Sequence, residues 1–460
     1  MNKKLMAVAV GAALAPGLAL AQSSVTISGY VKVGLDNVRY SGANTPVAGN
    51  TTRAQSSESR VTDHSSRIIF NITEDLGGGM QAIAQIDTRF NPSDIAHPSS
   101  QGYAGAVGGG NTWVGINSKS FGRVTFGRHD LHYGKAGDNT ADKAGSLQLI
   151  ASSIFDVVGG PNASTAASAR GTTGRAMAGQ TRTNNVVRWD TPQWGIFSAT
   201  VAWSANGIQP GGGGQNVEGD LHLSNGTTVI GSTNTGLLGT GANAGSVIRR
   251  RGEAWNLNPK LTGSNWMVEY SYWKAKQDTN VQSSITFAPS AAGTTVGTLG
   301  PNAVQHDQRS DVLAGNMTFG GFKIGLAWNR SKTIDPASGY TSGNRKAWSI
   351  PASYTTGPHS IAGHWTKVGD SRDVVVAGAT TATDVTVSGS NTGATMWAIA
   401  YDYSLSKRTS MGLSYGSLRN KSNASYGMFY NSQTAFGSAS TGTLAGEDVR
   451  LLAATLRHNF

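Results

Sequence analysis

The residues of this chain that could do chemistry are isolated cations set among alternating side chains. In the stretch from Ser65 to Phe90, Ile68, Phe70 and Ile72 share one face while Arg67, Asn71 and Thr73 share the other, because side chains of an extended segment alternate sides. After the glycine turn at Leu76–Gly79, Met80, Ala82, Ala84 and Ile86 oppose Gln81, Gln85, Asp87 and Arg89. Lys32 sits on the polar side against Val31, Val33 and Leu35, and the same alternation puts Arg188 on the polar side of its segment. Arg128 has the parity of Val124 and Phe126, where the segment is expected to give way to loop. Cations on the wall of a water-filled passage raise the local concentration of anions without holding one tightly.

Other chemistry finds less support. Ser residues can be paired on paper with His129, His132 or His364, yet no nucleophile elbow accompanies them. His129 and His132 are three apart in what reads as loop, with no third ligand nearby; they are read as solvated, and neither a metal nor a cofactor is implied. The formal charge of +11 falls to +9 without Lys3 and Lys4. Nucleic acid suits a basic chain, but export and the lack of a basic cluster argue against it.

The elements that must position the cations follow from the ends and the composition. Residues 1–21 combine a basic start, an apolar run from Leu5 to Leu20 and the ending Ala19-Leu20-Ala21, the pattern of a cleaved secretory signal peptide; the mature chain, 22–460, is one domain beginning at Gln22. No later run reaches about 18 apolar residues, which excludes a helical membrane protein. Cysteine is absent, so an exported chain must take its stability from something other than disulfides. A charged fraction of 14% is low for a soluble domain and ordinary for a membrane barrel with a polar interior.

Alternating segments of about 9 to 11 residues recur along the chain. They are expected near 25–35, 65–76, 80–90, 112–117, 123–127, 183–190, 196–204, 252–259, 265–275, 310–319, 322–330, 346–356, 359–367, 395–404, 408–418 and 448–460. Polar loops over 36–63, 91–110, 129–183, 205–251, 276–308, the stretch after 330, 369–394 and 419–447 alternate with short turns. This rhythm predicts an all-β fold: a 16-stranded antiparallel transmembrane β-barrel, closed by its first and last strands, with long external loops and short periplasmic turns. Apolar faces ending in aromatics, such as Trp397, Ile399, Tyr401 and Tyr403, fit the interfacial girdles. Pro351 cannot donate to a ladder, so a bulge is expected there.

Three motifs then carry a family resemblance: Ser66-Arg67 through Glu74-Asp75-Leu76-Gly77-Gly78-Gly79; Phe121-Gly122-Arg123-Val124-Thr125-Phe126-Gly127-Arg128; and Asn185-Val186-Val187-Arg188-Trp189-Asp190-Thr191-Pro192. With the terminal Leu456-Arg457-His458-Asn459-Phe460, the chain resembles the general porins of Gram-negative bacteria, particularly β-proteobacterial ones. The resemblance implies a homotrimer of 16-stranded barrels in the outer membrane, termini periplasmic, each pore narrowed by an inward-folded third loop. It places Lys32, Arg67, Arg89 and Arg188, with Arg128 beside them, on the basic wall of the constriction. It places the facing acids on residues 129–183, with Asp138, Asp142 and Asp156 as candidates. Phe460 would be the signal read by the barrel-assembly machinery. Arg249-Arg250-Arg251 is a solvated run or a contact for lipopolysaccharide. The function implied is passive diffusion of small hydrophilic solutes with a preference for anions, not catalysis. A substrate-specific channel, a barrel enzyme and an adhesin or scaffold remain as alternatives.

Overall fold

The computed structural model describes residues 23–42, 57–64, 66–90, 92, 107–132, 154–155, 181–204, 253–276, 285–289, 295–299, 307–334, 341–372, 374–376, 385–387, 389–424, 426–428 and 446–460. Alternating sequence becomes sixteen antiparallel strands. β1 is Ser24–Ser41, β2 runs in two segments, Ser57–Asp63 and Arg67–Gly77, and β3 is Met80–Arg89. β4 (Thr112–Ser118), β5 (Gly122–Leu131), β6 (Thr181–Asp190), β7 (Phe197–Ser204), β8 (Glu253–Thr262) and β9 (Trp266–Lys276) follow. The second half comprises β10 (Asp307–Phe319), β11 (Phe322–Ile334), β12 (Thr341–Thr356), β13 (His359–Val368), β14 (Ala394–Ser404), β15 (Thr409–Asn420) and β16 (Asp448–Asn459).

Each strand pairs with its neighbours in sequence, and β1 also pairs with β16, from Tyr30 opposite Asn459 to Ser41 opposite Asp448. The sheet is therefore a closed ring. Closure matters because a backbone donor or acceptor left unpaired in hydrocarbon costs several kcal/mol. The Phe460 N–H extends it by donating to the Gly29 carbonyl. Short turns at 78–79, 119–121, 191–196, 263–265, 320–321, 357–358 and 405–408 share one end with both termini.

The alternation has the expected sense through most of the wall. Trp397, Ile399 and Tyr401 point outward and are exposed, while Ala398 and Ala400 between them point inward and are buried. Trp189, Trp203, Trp255, Trp348 and Trp365 lie on the outward face, as do Phe319, Phe322 and Tyr354 towards the short-turn end. The Trp and Tyr rings at these depths are amphipathic and sit between hydrocarbon and water. The inward face is less uniform than a wet interior would be. Towards the external ends of the strands, Val38, Leu131, Val186, Trp273, Met396, Leu418 and Leu451 belong to one buried apolar cluster. Below it the inward positions are polar: Thr125, Thr200, Asn258, Glu269, Ser414 and Thr455.

Four local expectations are corrected. β1 reaches Ser41 and residues 57–63 pair with it, so the polar stretch read as a loop over 36–63 is largely strand. Charged and polar side chains disguised that pairing, since Glu58, Arg60 and Asp36 alternate mostly with Ser57, Ser59 and Asn37, and Val61 is the single large apolar residue of 57–63. Pro351 produces no bulge: the ladders on both sides keep register across it. Gly325 opposite makes this possible, since a Cβ there would stand 3.1 Å from Pro351 Cγ. The segments over 276–308 and 369–394 hold small hairpins, Ile285–Pro289 with Thr295–Leu299 and Val374–Val376 with Val385–Val387. His129 and His132 are buried rather than solvated, because β5 carries them inside the barrel.

Two external segments are tied together by charge. Lys421 Nζ is 2.9 Å from both Asp370 carboxylate oxygens. Burial would raise the Asp370 pKa, but the bonds from Lys421 and from the Gly393 N–H outweigh it and hold the carboxyl below its usual range.

The outward assignment predicts a strong positional asymmetry on β14. Ile399→Arg places a cation near the middle of the hydrocarbon and should cost about 2–4 kcal/mol in equilibrium unfolding from lipid vesicles. Ala398→Ser, one residue away on the inward face, should cost far less.

Candidate functional site

The interior polar groups come from strands far apart in sequence, and cross-strand register decides which of them meet. Tyr30 on β1 lies opposite Arg67 on β2, and Arg67 lies opposite Arg89 on β3. Lys32, one inward position further along β1, lies opposite Arg457 on β16. Four neighbouring strands thus present Arg457, Lys32, Arg67 and Arg89 on one continuous inward wall. The guanidinium carbons of Arg67 and Arg457 stand 5.0 and 4.1 Å from the centre of the Tyr30 ring. A tyrosine face attracts cations and here gathers two of them. Arg457 Nε also donates to Asn459 Oδ1 at 2.8 Å.

The members of this wall differ in access to water. Lys32 is 1% exposed, whereas Arg67, Arg89 and Arg457 are half-buried. Arg89 is neutralised locally, since its Nε and Nη2 each donate to Asp87 at 2.8 Å. Arg67 and Arg457 make no ion pair with a carboxylate among the described residues. They are the wall's more accessible cations without a carboxylate ion pair, Lys32 being buried and Arg89 paired.

The break in β2 is built around Lys32. Its N–H donates to Ser66 Oγ at 3.0 Å, its carbonyl accepts the His64 N–H at 2.9 Å, and the Ser66 N–H donates to Asp63 Oδ1 at 2.9 Å. The bulge thereby keeps the Lys32, His64 and Ser66 backbone donors bonded. His64 turns inward to Asp36, with Nε2 at 3.0 Å from Oδ1, and Arg60 lies 3.6 Å from the same carboxylate. Gly34 gives this imidazole room: a Cβ there would come within 2.5 Å of His64 Nε2.

Arg188 belongs to a second group, on β5 and β6. Its Nε and Nη2 reach Asp190 Oδ1 at 3.1 and 2.9 Å, while Arg123 reaches Asp190 Oδ2 at 2.8 Å and Thr200 donates to Oδ1 at 2.6 Å. His129 stacks on Trp113 at 5.9 Å and bonds Thr125 at 3.1 Å. β4 and β5 lie between Arg188 on β6 and Arg89 on β3, so the four predicted cations form two clusters, not one ladder. Arg128 joins neither. It lies opposite Thr112 and keeps the outward parity of Phe126, because the extra residue of the adjacent bulge, at Asn184–Asn185, is on β6 and leaves β5 in phase.

Sequence reasoning looked for acids only between β5 and β6. Asp138, Asp142 and Asp156 lie outside the described residues, as do residues 1–21 and Arg249-Arg250-Arg251. Acids described on the inward side of the wall include Asp36, Asp63, Asp87, Asp190, Glu269 and Asp402. Arg457 was legible from its parity against Leu452 and Leu456 but was read only as part of a terminal motif.

Two residues of the connection between β5 and β6 are described, Ile154 and Phe155. Ile154 and Phe155 are buried, and Arg345 on β12 donates from Nη1 to the Ile154 carbonyl at 2.6 Å and from Nη2 to the Phe155 carbonyl at 2.7 Å. Arg345 Nε reaches Ser331 Oγ at 3.3 Å, and the guanidinium stands 5.8 Å from the Tyr426 ring. The fully buried guanidinium thereby gains two charge-assisted hydrogen bonds to backbone carbonyls, which offset the cost of burying its charge. Where this connection leaves β5, His132 is buried with Nδ1 2.9 Å from Ser271 Oγ, stacked on Trp273 at 6.0 Å. Ile154 and Phe155, between β5 and β6 in the chain, are thus held inside the barrel by β12.

Fold and interior together define a pore-type barrel of the outer membrane, and comparison with known proteins agrees. The model of the Gram-negative porin family matches residues 7–423. The chain belongs to that family. An outer membrane porin protein of Bordetella pertussis is 31% identical over 137 residues, 28% of this chain, and the match spans about a third of that relative's length, 33%. Among solved structures, the anion-selective porin from Comamonas acidovorans aligns over 95% of this chain and 100% of its own, with TM-score 0.59 and 16% identity. The trimer form of OmpT, an outer membrane protein of Vibrio cholerae, covers 95% and 99%, with TM-score 0.54 and 11% identity.

Arg345 gives a sharp test of loop anchorage. Arg345→Leu removes two charge-assisted bonds, each worth about 1.5–3 kcal/mol, and should lower thermal stability and increase open-state current noise in planar bilayers. Arg345→Lys, able to reach one carbonyl at a time, should fall between the two.

Proposed function

We propose that this barrel is a passive diffusion channel for small hydrophilic solutes and prefers anions. The observation that carries the preference is the wall formed by β16, β1, β2 and β3, where Arg67 and Arg457 flank Tyr30 with no carboxylate partner among the described residues. Arginine is suited to this work because it stays charged at any physiological pH and its fork offers several donors to a passing anion. Charges fixed in a narrow low-dielectric wall act on permeating ions more strongly than the same charges in bulk water. Asp87 and Asp190 compensate Arg89 and Arg188, so those two shape the field locally and add less to the net preference.

The same reading includes three identical barrels side by side, each with its own pore, an exported precursor that loses residues 1–21, and Phe460 as the residue read during insertion. Phe460 is 40% exposed at the short-turn end of the β1–β16 seam, accessible to a docking partner before closure. The fit to a Comamonas acidovorans porin whose title describes it as anion-selective supports the fold, while the preference rests on this chain's own residues.

The deciding measurement is the reversal potential of the purified full chain in planar bilayers across a potassium chloride gradient. Chloride preference is expected, and R67Q/R457Q should move the reversal potential towards zero with little change in step size. Cation preference in the unsubstituted protein would overturn the reading. Conductance in steps of three would match a trimer.

A further inference from the structure

Beyond the external end of β15, the chain turns back into the barrel. β15 ends at Asn420, and the side chain of that residue ties the strand end to Tyr426. Its Nδ2 donates to the Tyr426 carbonyl at 3.0 Å, and its Oδ1 accepts the Tyr426 N–H at 3.0 Å. The same Nδ2 donates to the Glu447 carbonyl at 2.7 Å, and the Asn420 N–H donates to Asp448 Oδ1 at 3.1 Å, which joins the turned-back residues to the start of β16. One amide, both donor and acceptor, thus takes over from the ladder where the strand has ended.

The apolar side chains of this segment point inward. Ala424, Tyr426 and Met428 are buried in one cluster with Met396 on β14 and Leu418 on β15, both inward residues. The Tyr426 ring stands 5.8 Å from the guanidinium of Arg345, which is on β12. Three inter-strand steps of about 4.8 Å separate β12 from β15 by about 14 Å, so ring and guanidinium together bridge β13 and β14 on the lumen side. Thr366 and Met396, inward and opposite one another on the two bridged strands, are accordingly covered, at 0% exposure. The outer edge is held as firmly. The Lys421 N–H donates to the Gly393 carbonyl at 3.0 Å, the Asn423 N–H to the Asn391 carbonyl at 2.9 Å, and Asn423 Nδ2 to the Ser390 carbonyl at 3.0 Å, all on the connection between β13 and β14.

A segment bonded along its outer edge and packed along its inner one takes a constant share of the cross-section of the passage. We propose that residues 420–424 and 426–428 form a fixed ledge over β13 and β14 that sets the upper size of the solutes admitted. The proposal rests on the channel reading above and names a specificity element within it. Bulk is selected at the ledge, and charge at Arg67 and Arg457 on another part of the ring. Pore diameter acts on neutral solutes and fixed charge does not, so the two selections are separable. Arg345 serves the ledge and Ile154–Phe155 together, and its loss would disturb both; the ledge is therefore tested at its own residues.

The purified full chain is reconstituted into liposomes, swelling is followed in uncharged sugars of increasing size, and reversal potentials are measured in planar bilayers. Y426A/M428S should raise the swelling rate in a trisaccharide, relative to that in a pentose, by at least roughly threefold, and leave the reversal potential in a potassium chloride gradient unchanged. An unchanged ratio of rates would overturn the ledge. Silence or cation preference in the unsubstituted protein would instead strike the channel reading on which it rests. A second arm does not depend on repacking of the cluster. The chain has no cysteine, and Gly427 is exposed between two buried neighbours, so G427C offers a single thiol on the water-facing edge of the ledge. A neutral polyethylene glycol maleimide added to the external side of a conducting channel should lower its single-pore current by at least about a quarter. Unaltered current after complete labelling would also overturn the assignment.

Discussion

The structure depends on one constraint: in hydrocarbon, no water is available to satisfy a backbone N–H or C=O, so the sheet must leave no edge. The β1–β16 ladder meets it, and the last residue of the chain contributes one of its donors. Everything else is subordinate to that ring. Loops can be long, hairpins can be added outside, and β2 can break over three residues, provided that pairing with β1 resumes on the far side of the break. It does so because Ser66 and Asp63 take over the donors and acceptors that the bulge displaces.

Closure also decides who meets whom inside. Arg457 and Lys32 are at opposite ends of the chain and become cross-strand neighbours, while Tyr30 gathers one arginine from β2 and another from β16. The interior manages its charges in three ways. Some cations are matched by wall carboxylates two residues along the same strand, as Arg89 by Asp87 and Arg188 by Asp190. One, Arg345, is spent on the backbone carbonyls of Ile154 and Phe155. The remainder face the passage, and these give it a field.

The two surfaces of one strand can serve two purposes because the period of alternation is two. β11 and β12 show this directly. Arg345 turns inward to hold Ile154 and Phe155, and its neighbour Lys346 turns outward beside Arg330. A one-residue slip would exchange them, placing the anchor in lipid and the surface cation in the lumen. Register is thus functional information as well as structural.

Alternation, spacing of turns and absence of a long apolar run determined the class of fold, the number of strands, their sidedness and the inward parity of Lys32, Arg67, Arg89 and Arg188, since each is a local property of an extended chain. Where the parity signal was blurred, the reading failed. Charged inward residues hid residues 57–63 as strand, and Gly325 absorbed the expected effect of Pro351 from another strand. Only the tertiary structure decided that Arg457 joins the basic wall, that Asp87 and Asp190 rather than loop acids alone compensate its arginines, and that Arg345 anchors Ile154 and Phe155. Those are contacts between positions brought together by ring closure and cross-strand register, and a linear pattern carries no measure of either.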